Sequence, residues 1–289
     1  MGSISADRAA LDANYNLRAK VPEHPVYFER YARVSAAFRA RWPARLDLAY
    51  GDSPRQAVDL FLPEAPRPPL LVFIHGGYWQ ALDRKDFSFV GERLVEAGAA
   101  VALVGYDLAP AVDMDTIVRQ IRQSLAWLYR NAAEHGFDRD RICVAGHSAG
   151  GHLAAMALAT DWPDFGLPGD LIKGVCAISG VFDLEPIRLC YLNDVVQLDV
   201  EQARRNSPTL LRPAHCPVIA TLGELETAAF HQQSRAYAEA VRRNGVPCDL
   251  VVQPGLDHFS VIMAMTEAAN PAVRAIRGQL GLSGAPCLG

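Results

Sequence analysis

The sequence lacks an excess of basic residues, since its 28 Lys and Arg are outnumbered by 32 Asp and Glu in a chain of 289 residues. The formal net charge of −4 argues against a nucleic-acid-binding surface, which needs a basic excess to displace counterions. The sequence also shows no internal repeat and no low-complexity segment. A composition of this kind is typical of an ordinary globular protein.

Metal-ligand spacing is missing as well. The six cysteines form no CxxC pair, and no HExxH or comparable ligand set occurs, so we expect neither a metal nor a cofactor. Cys143, Cys176 and Cys248 lie in apolar, strand-like runs, where a reduced cysteine packs as a small hydrophobic residue. A chain of this length can hold its core without disulfides, so we expect a reducing compartment.

No segment has the features of a secretion signal or a membrane span. Residues 1–16 have neither a basic start nor an apolar central region. The longest uncharged run, 142–160, is interrupted by glycines and histidines between 146 and 152. We therefore expect a cytoplasmic protein with no membrane partner.

From residue 46 onward the pattern alternates between strand and helix. Runs such as 70–74 are continuously apolar, which is typical of strands covered on both faces. Strands are predicted at 46–51, 57–63, 69–75, 99–106, 141–146, 172–179, 217–222 and 248–253. Helices are predicted at 85–97, 114–135, 149–160, 227–244 and 260–280, the last broken near Pro271. The alternation predicts an α/β fold: an eight-stranded, mostly parallel sheet with helices on both faces and an antiparallel hairpin at one edge.

The whole chain, 1–289, is predicted to form a single domain. Residues 1–44 lack strand signals and show helical spacing of apolar residues, so we expect one or two helices there as an N-terminal cap. Residues 46–280 form the predicted core, and 281–289 a frayed, flexible tail.

The strongest motif is Gly146-His147-Ser148-Ala149-Gly150, which fits the pattern G-x-S-x-G. It follows an apolar strand and opens a helical run, as a nucleophile turn does. The glycines lack Cβ atoms, so the chain can turn tightly and present the serine. The alternative interpretation is a glycine-rich packing turn with no chemical role.

A second motif, His75-Gly76-Gly77-Tyr78-Trp79, follows the most apolar strand. Acyl transfer generates an oxyanion that needs backbone N–H donors, and a Gly-Gly loop lets the main chain approach closely. The motif lies one strand–helix–strand unit before the serine motif, where an oxyanion loop belongs. A simple strand-exit turn is the alternative interpretation.

A carboxylate and then a histidine are expected after the serine in chain order. Only His258 follows the last predicted strand, which makes it the candidate general base. The carboxylate is sought between Ser148 and His258 at a strand end, where it would hold the imidazole in the correct tautomer. Glu224 and Glu226 after the seventh strand both qualify, and Asp183 is a more distant candidate that could instead cap a helix.

Several stretches together resemble the α/β-hydrolase superfamily, and within it the kynurenine formamidase (arylformamidase)-like group and the neighbouring hormone-sensitive-lipase-type esterases. They are HGGYW at 75–79, AGHSAGGHLA at 145–154, GELETAAFHQQS at 223–234 and DHFSVI at 257–262. The stretch 14–19 also resembles the N-terminal region of that group.

The resemblance implies an α/β-hydrolase fold with a serine-hydrolase site. Carried over residue by residue, it makes Ser148 the nucleophile, His258 the base and Glu226 the acid. Glu226 stands where the group has Asp, so the match leaves Glu224 as a competitor. The oxyanion-hole donors implied by the resemblance are the backbone N–H groups of Gly77, Tyr78 and Ala149.

The function implied is cleavage of small acyl amides or esters of aromatic compounds, such as N-formylkynurenine-type substrates, through an acyl-enzyme. The expected substrate-binding residues are Gly76, Tyr78, Trp79 and His147. The N-terminal helices and the segment 183–212 are the expected lids, the latter with Tyr191, Leu192, Leu198 and Pro208.

Two other functions remain open at this point. One is a general short-acyl carboxylesterase, and the other, from a different class, is a non-catalytic receptor or scaffold with the same fold. A small-molecule substrate is the expected partner, and a homodimer is a candidate assembly.

Overall fold

The computed structural model describes residues 8–282, and its eight strands join in one sheet. The strands are β1 (Ala44–Ala49), β2 (Ala57–Phe61), β3 (Pro69–Ile74), β4 (Ala100–Val104), β5 (Asp138–His147), β6 (Ile172–Ile178), β7 (Val218–Gly223) and β8 (Cys248–Gln253). Their spatial order is β1-β2-β4-β3-β5-β6-β7-β8. β2 pairs antiparallel with both β1 and β4, and the other neighbours are parallel. The predicted mostly parallel sheet with an edge hairpin is confirmed.

The central strand β3 shows why its sequence is continuously apolar. Leu70, Val72 and Ile74 pack into the core on one face of the sheet, while Leu71 and Phe73 pack into the core on the other. Successive side chains of a strand point to opposite faces, so a strand covered on both sides needs apolar residues throughout. β3 is therefore a rigid base for the loop that follows it.

Helices cover both faces of the sheet. The α-helices are α1 (Arg8–Tyr15), α2 (Leu17–Lys20), α3 (His24–Arg41), α4 (Glu92–Val95), α5 (Met114–His135), α6 (Ala149–Leu158), α7 (Glu185–Arg188), α8 (Asn193–Val196), α9 (Val200–Arg205), α10 (Ala228–Arg243), α11 (Ser260–Met263) and α12 (Pro271–Gln279). α5 has the predicted bounds, because Asp113 caps its first turn by accepting from the Thr116 N–H at 2.9 Å and Gly136 ends it with a φ of 83°.

Two predicted helices are not continuous α-helices in the structure. The segment expected as a helix at 85–97 is mostly a 3₁₀ helix, Arg84–Gly91, followed by the single turn α4. Phe87 and Phe89, two residues apart, are both fully buried, so tertiary packing prevails over the α-helical pattern. The segment expected at 260–280 is broken, as predicted, just before Pro271, which begins α12 behind an Asn270 cap.

The N-terminal region holds three helices, α1 to α3, where one or two were expected. Of the predicted tail, Gly281 and Leu282 still donate backbone hydrogen bonds to Gly278 and Arg277, and the remainder lies outside the described residues. Within residues 8–282, every helix is too short or too polar to cross a bilayer.

Candidate active site

The predicted nucleophile turn joins β5 to α6. Ser148 is the single residue between these two elements, and it adopts φ 57° and ψ −119°, a conformation that side-chain-bearing residues rarely take. A Cβ on Gly146 would lie 2.1 Å from the Gly150 carbonyl oxygen, and one on Gly150 would lie 2.0 Å from the Ile74 oxygen. Both glycines are therefore required by the close approach of backbone to backbone, and the packing they permit holds Ser148 in its strained turn.

The buried carboxylate of Glu226 bonds to the ring of His258. The distance from Glu226 Oε2 to His258 Nδ1 is 2.8 Å, and the Glu226 side chain is fully buried. Its other oxygen, Oε1, accepts from the Ser179 hydroxyl and, at 3.0 Å, from the Gly223 N–H. A carboxylate accepts and does not donate, so the proton between Glu226 and His258 belongs to Nδ1. The free lone pair of the imidazole is then on Nε2.

The other two carboxylates considered from sequence have different contacts. Glu224 Oε2 accepts from the Gly255 N–H at 2.8 Å and so ties the β7 loop to the loop after β8. Asp183 Oδ1 accepts from the Glu185 N–H at 3.0 Å at the start of α7. Among the three, Glu226 is the one that the fold brings to His258.

Two hydrogen bonds hold the main chain around His258. His147 Nε2 donates to the His258 carbonyl at 3.0 Å, and the Tyr31 hydroxyl of α3 donates to the carbonyl of Phe259. Burial, followed by the nearby His258, lowers the pKa of His147 well below its usual range, so its ring is neutral. His147 thus supports the His258 loop from beside Ser148.

The loop after β3 runs in an unusual backbone conformation. Gly77, Tyr78, Trp79 and Leu82 all have positive φ, with 113° at Gly77. A Cβ on Gly77 would lie 2.1 Å from the Ala81 carbonyl oxygen, so no other residue fits this position without a shift of the loop. His75 anchors the start of the loop, because its Nδ1 lies 2.8 Å from the Gly76 carbonyl and its ring stacks on that of Tyr106. Burial lowers the pKa of His75 to about 4.

Three backbone N–H groups around the Ser148 turn are available as donors. Within residues 8–282, the N–H groups of Gly77, Tyr78 and Ala149 have no hydrogen-bond acceptor. Gly77 and Tyr78 line the cavity described below, and Ala149 is the first residue of α6, where helical N–H groups lack intrahelical partners. They can therefore serve an oxygen atom of a ligand.

Two residues predicted to bind substrate do not line the cavity. The Trp79 ring is fully buried, and its Nε1 donates to His152 Nδ1 at 3.2 Å, which in turn donates from Nε2 to the Asn206 carbonyl at 2.7 Å. A buried indole needs an acceptor for its N–H, and His152 supplies it. Gly76 packs behind the nucleophile turn, where a Cβ would lie 3.1 Å from that of Ser148. Neither Trp79 nor Gly76 therefore lines the cavity, and their contact with substrate stays a prediction that this arrangement does not favour.

A cavity of about 430 Å³ opens over Ser148 and His258. Tyr78 and His147, which the sequence predicts to bind substrate, line it, and Tyr191 and Leu192 line it from the expected lid segment. The remaining lining residues were not identified from sequence: Asn16, Leu17, Arg18, Phe28, Tyr31, Gln80, Ala81, Leu82, Phe87 and Phe259. Three signals pointed to some of them: the resemblance of 14–19 and of 257–262 to the formamidase-like group, and the expectation that the N-terminal helices form a lid.

The other expected lid residues have a different role. Leu198 and Pro208 are buried and do not line the cavity. Polar contacts of α1 hold two of the lining residues, Tyr191 and Tyr78, in place. Asp12 Oδ1 accepts from the Tyr191 N–H at 2.6 Å, and the Tyr15 carbonyl accepts from the Tyr78 hydroxyl at 2.9 Å. The N-terminal helices thus form one wall of the site.

A serine on a strained strand-to-helix turn, placed on this sheet beside a carboxylate-bound histidine, defines the chain as an α/β-hydrolase. Comparison with known proteins makes the assignment narrower. The family model BD-FAE matches residues 58–188. The kynurenine formamidase of Danio rerio is 34% identical over 230 residues, which cover 77% of each chain. That of Salmo salar is 32% identical over 256 residues, which cover 85% of each.

A solved structure from Silicibacter sp. TM1040, provisionally named a thioesterase, is 34% identical with a TM-score of 0.81, and the match covers 91% of this chain and 97% of that one. The chain belongs to the kynurenine formamidase family of α/β-hydrolases. The family and the hydrolase class predicted from sequence are both confirmed.

Proposed function

We propose that the protein is a serine hydrolase that removes the formyl group from N-formyl aryl amides of the N-formylkynurenine type, with Ser148 as nucleophile, His258 as base and Glu226 as the acid. The observation that carries the proposal is the 2.8 Å contact between Glu226 and His258 at a cavity that Ser148 also lines. The relatives from Danio rerio and Salmo salar bear the name kynurenine formamidase, which supports the choice of acyl group.

The reaction follows from the tautomer of His258. Nε2 takes the proton of the Ser148 hydroxyl as Oγ attacks the formyl carbon, and Glu226 stabilises the imidazolium that results. The oxyanion accepts from the N–H groups of Gly77, Tyr78 and Ala149. His258 then gives its proton to the departing aryl amine. A water molecule, activated by the same Nε2, releases formate from the acyl-enzyme.

The cavity walls favour an aromatic substrate. Rings from Phe28, Phe87 and Phe259 line the space over Ser148, and its volume of about 430 Å³ is within the range of small-molecule sites. Flat aromatic groups pack well against such walls, in stacked or edge-on contact. A formyl group is the smallest acyl group, so the space is used mainly by the leaving amine.

Turnover of a matched substrate series tests the proposal. N-formyl anilides, aryl acetates and long-chain aryl esters are compared on the wild type and on Ser148→Ala, and a fluorophosphonate reports whether the serine is activated. We expect Ser148-dependent cleavage of the formyl anilides and a steep fall in kcat/KM as the acyl chain grows. Best activity on long-chain esters would contradict the formamidase function.

The second candidate is a short-acyl carboxylesterase. The same residues favour it, because a Ser-His-Glu set with an oxyanion hole can also cleave esters. The leaving group of an ester departs more easily than the amine of an amide and depends less on protonation by His258. If short aryl esters are cleaved and formyl anilides are not, the esterase is the correct function.

The cytoplasmic location and the homodimer remain predictions. In favour of a reducing compartment, the five cysteines within the described residues are all free and buried.

A further inference from the structure

The charge on the cavity wall has a single sign. Among the described residues that line the cavity, Arg18 is the only Arg, Lys, Asp or Glu. The carboxylate of Glu226 is fully buried behind His258 and does not line the cavity. A ligand in this space therefore meets aromatic and apolar surface, neutral polar groups and one permanent positive charge.

The guanidinium of Arg18 has no carboxylate partner within residues 8–282. It lies over the ring of Phe28, whose centroid is 5.8 Å from Arg18 Cζ. A cation over an aromatic face keeps its N–H donors free for an anion. Arg8, by contrast, is paired with Asp194 at 2.9 Å.

The backbone around Arg18 is fixed, so the charge has a defined place. The Asn16 side chain caps α2 by accepting from the Ala19 N–H at 3.1 Å, and Leu17 is buried against the core. Phe28, the partner of Arg18, lies on α3 and also lines the cavity. Arg18 thus projects from an anchored turn over the entrance, with its side chain exposed to solvent.

Arg18 is also within electrostatic reach of Tyr191, on the other segment of the roof. Burial raises the pKa of the Tyr191 hydroxyl, and the charge of Arg18 opposes that rise. The two segments that cover the site therefore meet near this cation.

We propose that Arg18 recognises a carboxylate on the substrate, so that the preferred substrates are acylated aromatic compounds carrying an anionic side chain. This inference rests on the proposed function and specifies its substrate class. The acyl group lies at Ser148, the aromatic ring lies against the phenylalanine side chains, and the carboxylate lies at the entrance, where the planar guanidinium offers paired N–H donors. Arg18 acts in binding and does not touch the reacting atoms.

The experiment compares substrates that differ only in charge. N-formylkynurenine is measured against its α-carboxamide, and 4-acetoxyphenylacetate against 4-acetoxyphenylacetamide, so the test does not depend on cleavage of the amide. We expect wild-type kcat/KM to be about ten-fold higher for the carboxylate of each pair, as a charge-assisted contact at a partly exposed site allows. We expect most of this difference to come from a lower KM for the carboxylate substrate. It should shrink when the ionic strength is raised, because salt screens an exposed charge pair.

Arg18→Gln should reduce the preference to about one-fold, because the loss of kcat/KM falls on the carboxylate member of each pair. Arg18→Lys keeps the charge and should retain part of the preference. Lys20→Gln is the matched control: Lys20 is an exposed cation on the same helical turn and does not line the cavity, so its loss should leave the ratio unchanged.

Two outcomes would overturn the inference. One is equal cleavage of the charged and neutral substrates by the wild type, and the other is an Arg18→Gln variant that slows both members of each pair alike. The proposed function fails separately, if neither formyl amide is cleaved while the acetoxy pair is. In that case the ester pair still decides whether Arg18 selects a carboxylate.

Discussion

Glu226 and His258 are separated by 32 positions in the chain, yet their side chains meet at 2.8 Å at the carboxyl end of the sheet. The contact is possible because β7 and β8 are parallel neighbours whose ends bring the two following loops together. Glu226 Oε1 accepts hydrogen bonds from Ser179 and Gly223, so these two donors fix the orientation of the carboxylate independently of His258. Each side of this contact can be tested.

Glu226→Gln should lower kcat by a factor on the order of 10⁴. The Gly223 N–H requires an acceptor, so the amide oxygen will occupy the Oε1 position and the NH₂ group will face His258. Nδ1 must then accept, the proton moves to Nε2, and the base is lost. Glu224→Gln is the matched control and should keep kcat within two-fold, because its oxygen can still accept from Gly255. The reverse ranking of the two variants would assign the acid to Glu224.

Ser148→Ala should abolish fluorophosphonate labelling and leave at most the residual catalysis of the binding site, roughly 10³–10⁴ over water. The free energy of unfolding should change by less than about 1 kcal/mol, since only one oxygen is removed at a small residue. Turnover and urea denaturation are measured on the same variant. Loss of turnover with an unchanged urea midpoint shows that the substitution removes the chemistry and not the fold. Turnover near the wild-type rate would rule out Ser148 as the nucleophile.

Gly77→Ala should lower kcat by about 10²–10³, the cost of losing one oxyanion donor, because its Cβ would collide with the Ala81 carbonyl and displace the loop. Gly98→Ala provides the control. Gly98 also has a positive φ, 95°, but a Cβ there would meet nothing within 4 Å. Gly98→Ala should lower the free energy of unfolding by about 1 kcal/mol and leave kcat unchanged. Equal kcat values for the two variants would show that the Gly77 loop does not serve the reaction.

Tyr31→Phe should destabilise the protein by about 1–3 kcal/mol, because the buried carbonyl of Phe259 loses its donor, and should lower kcat several-fold by loosening the His258 loop. Tyr27→Phe removes a longer bond, 3.3 Å to Asp257, from a less buried hydroxyl, and should cost less in both measurements. Urea midpoints and kcat, determined on the same preparations, provide the comparison. A Tyr31→Phe variant as stable and active as the wild type would exclude this support of the loop.

Acidification should destabilise the fold through the buried histidines. Burial lowers the pKa of His152 from 6.5 to about 4, so its neutral ring contributes full stability above pH 6.5, and that contribution is lost as the pH falls towards 4. The slope per histidine approaches about 1.4 kcal/mol per pH unit. The free energy of unfolding, measured with urea between pH 7 and 4.5, should fall less steeply with decreasing pH in His152→Gln than in the wild type, by up to about 1.4 kcal/mol per pH unit. Identical slopes in the variant and the wild type would contradict this assignment.

The strands and the turn that carries Ser148 could be predicted from the sequence because their constraints are local. A strand covered on both faces must be apolar throughout, as β3 is, and a strained turn such as that of Ser148 requires glycines at fixed positions. The choice between Glu224 and Glu226 could not be made in the same way. It depends on which carboxylate the Ser179 hydroxyl and the Gly223 N–H can reach in three dimensions.

The walls of the cavity were largely missed for the same physical reason. Phe28, Tyr31 and Phe87 become neighbours of Ser148 only through packing between distant segments, and none of them lies in a pattern with a fixed spacing to the serine. Trp79 shows a further limit of reasoning from the sequence. It follows Tyr78 in the loop after β3, but its indole N–H pairs with His152, and the side chain is therefore turned into the core.

The N-terminal helices that enclose the cavity affect when, during synthesis and folding, the protein can first bind and turn over substrate. Tyr15 takes a hydrogen bond from Gln233, 218 positions later, and Tyr31 donates to Phe259, 228 positions later. During synthesis on the ribosome, the first helices therefore emerge long before the residues that hold them in place. A nascent chain can contain the serine turn and still have no enclosed chamber. Turnover therefore begins only when Phe259 has been made and the first helices have docked against α10 and the loop that contains Phe259.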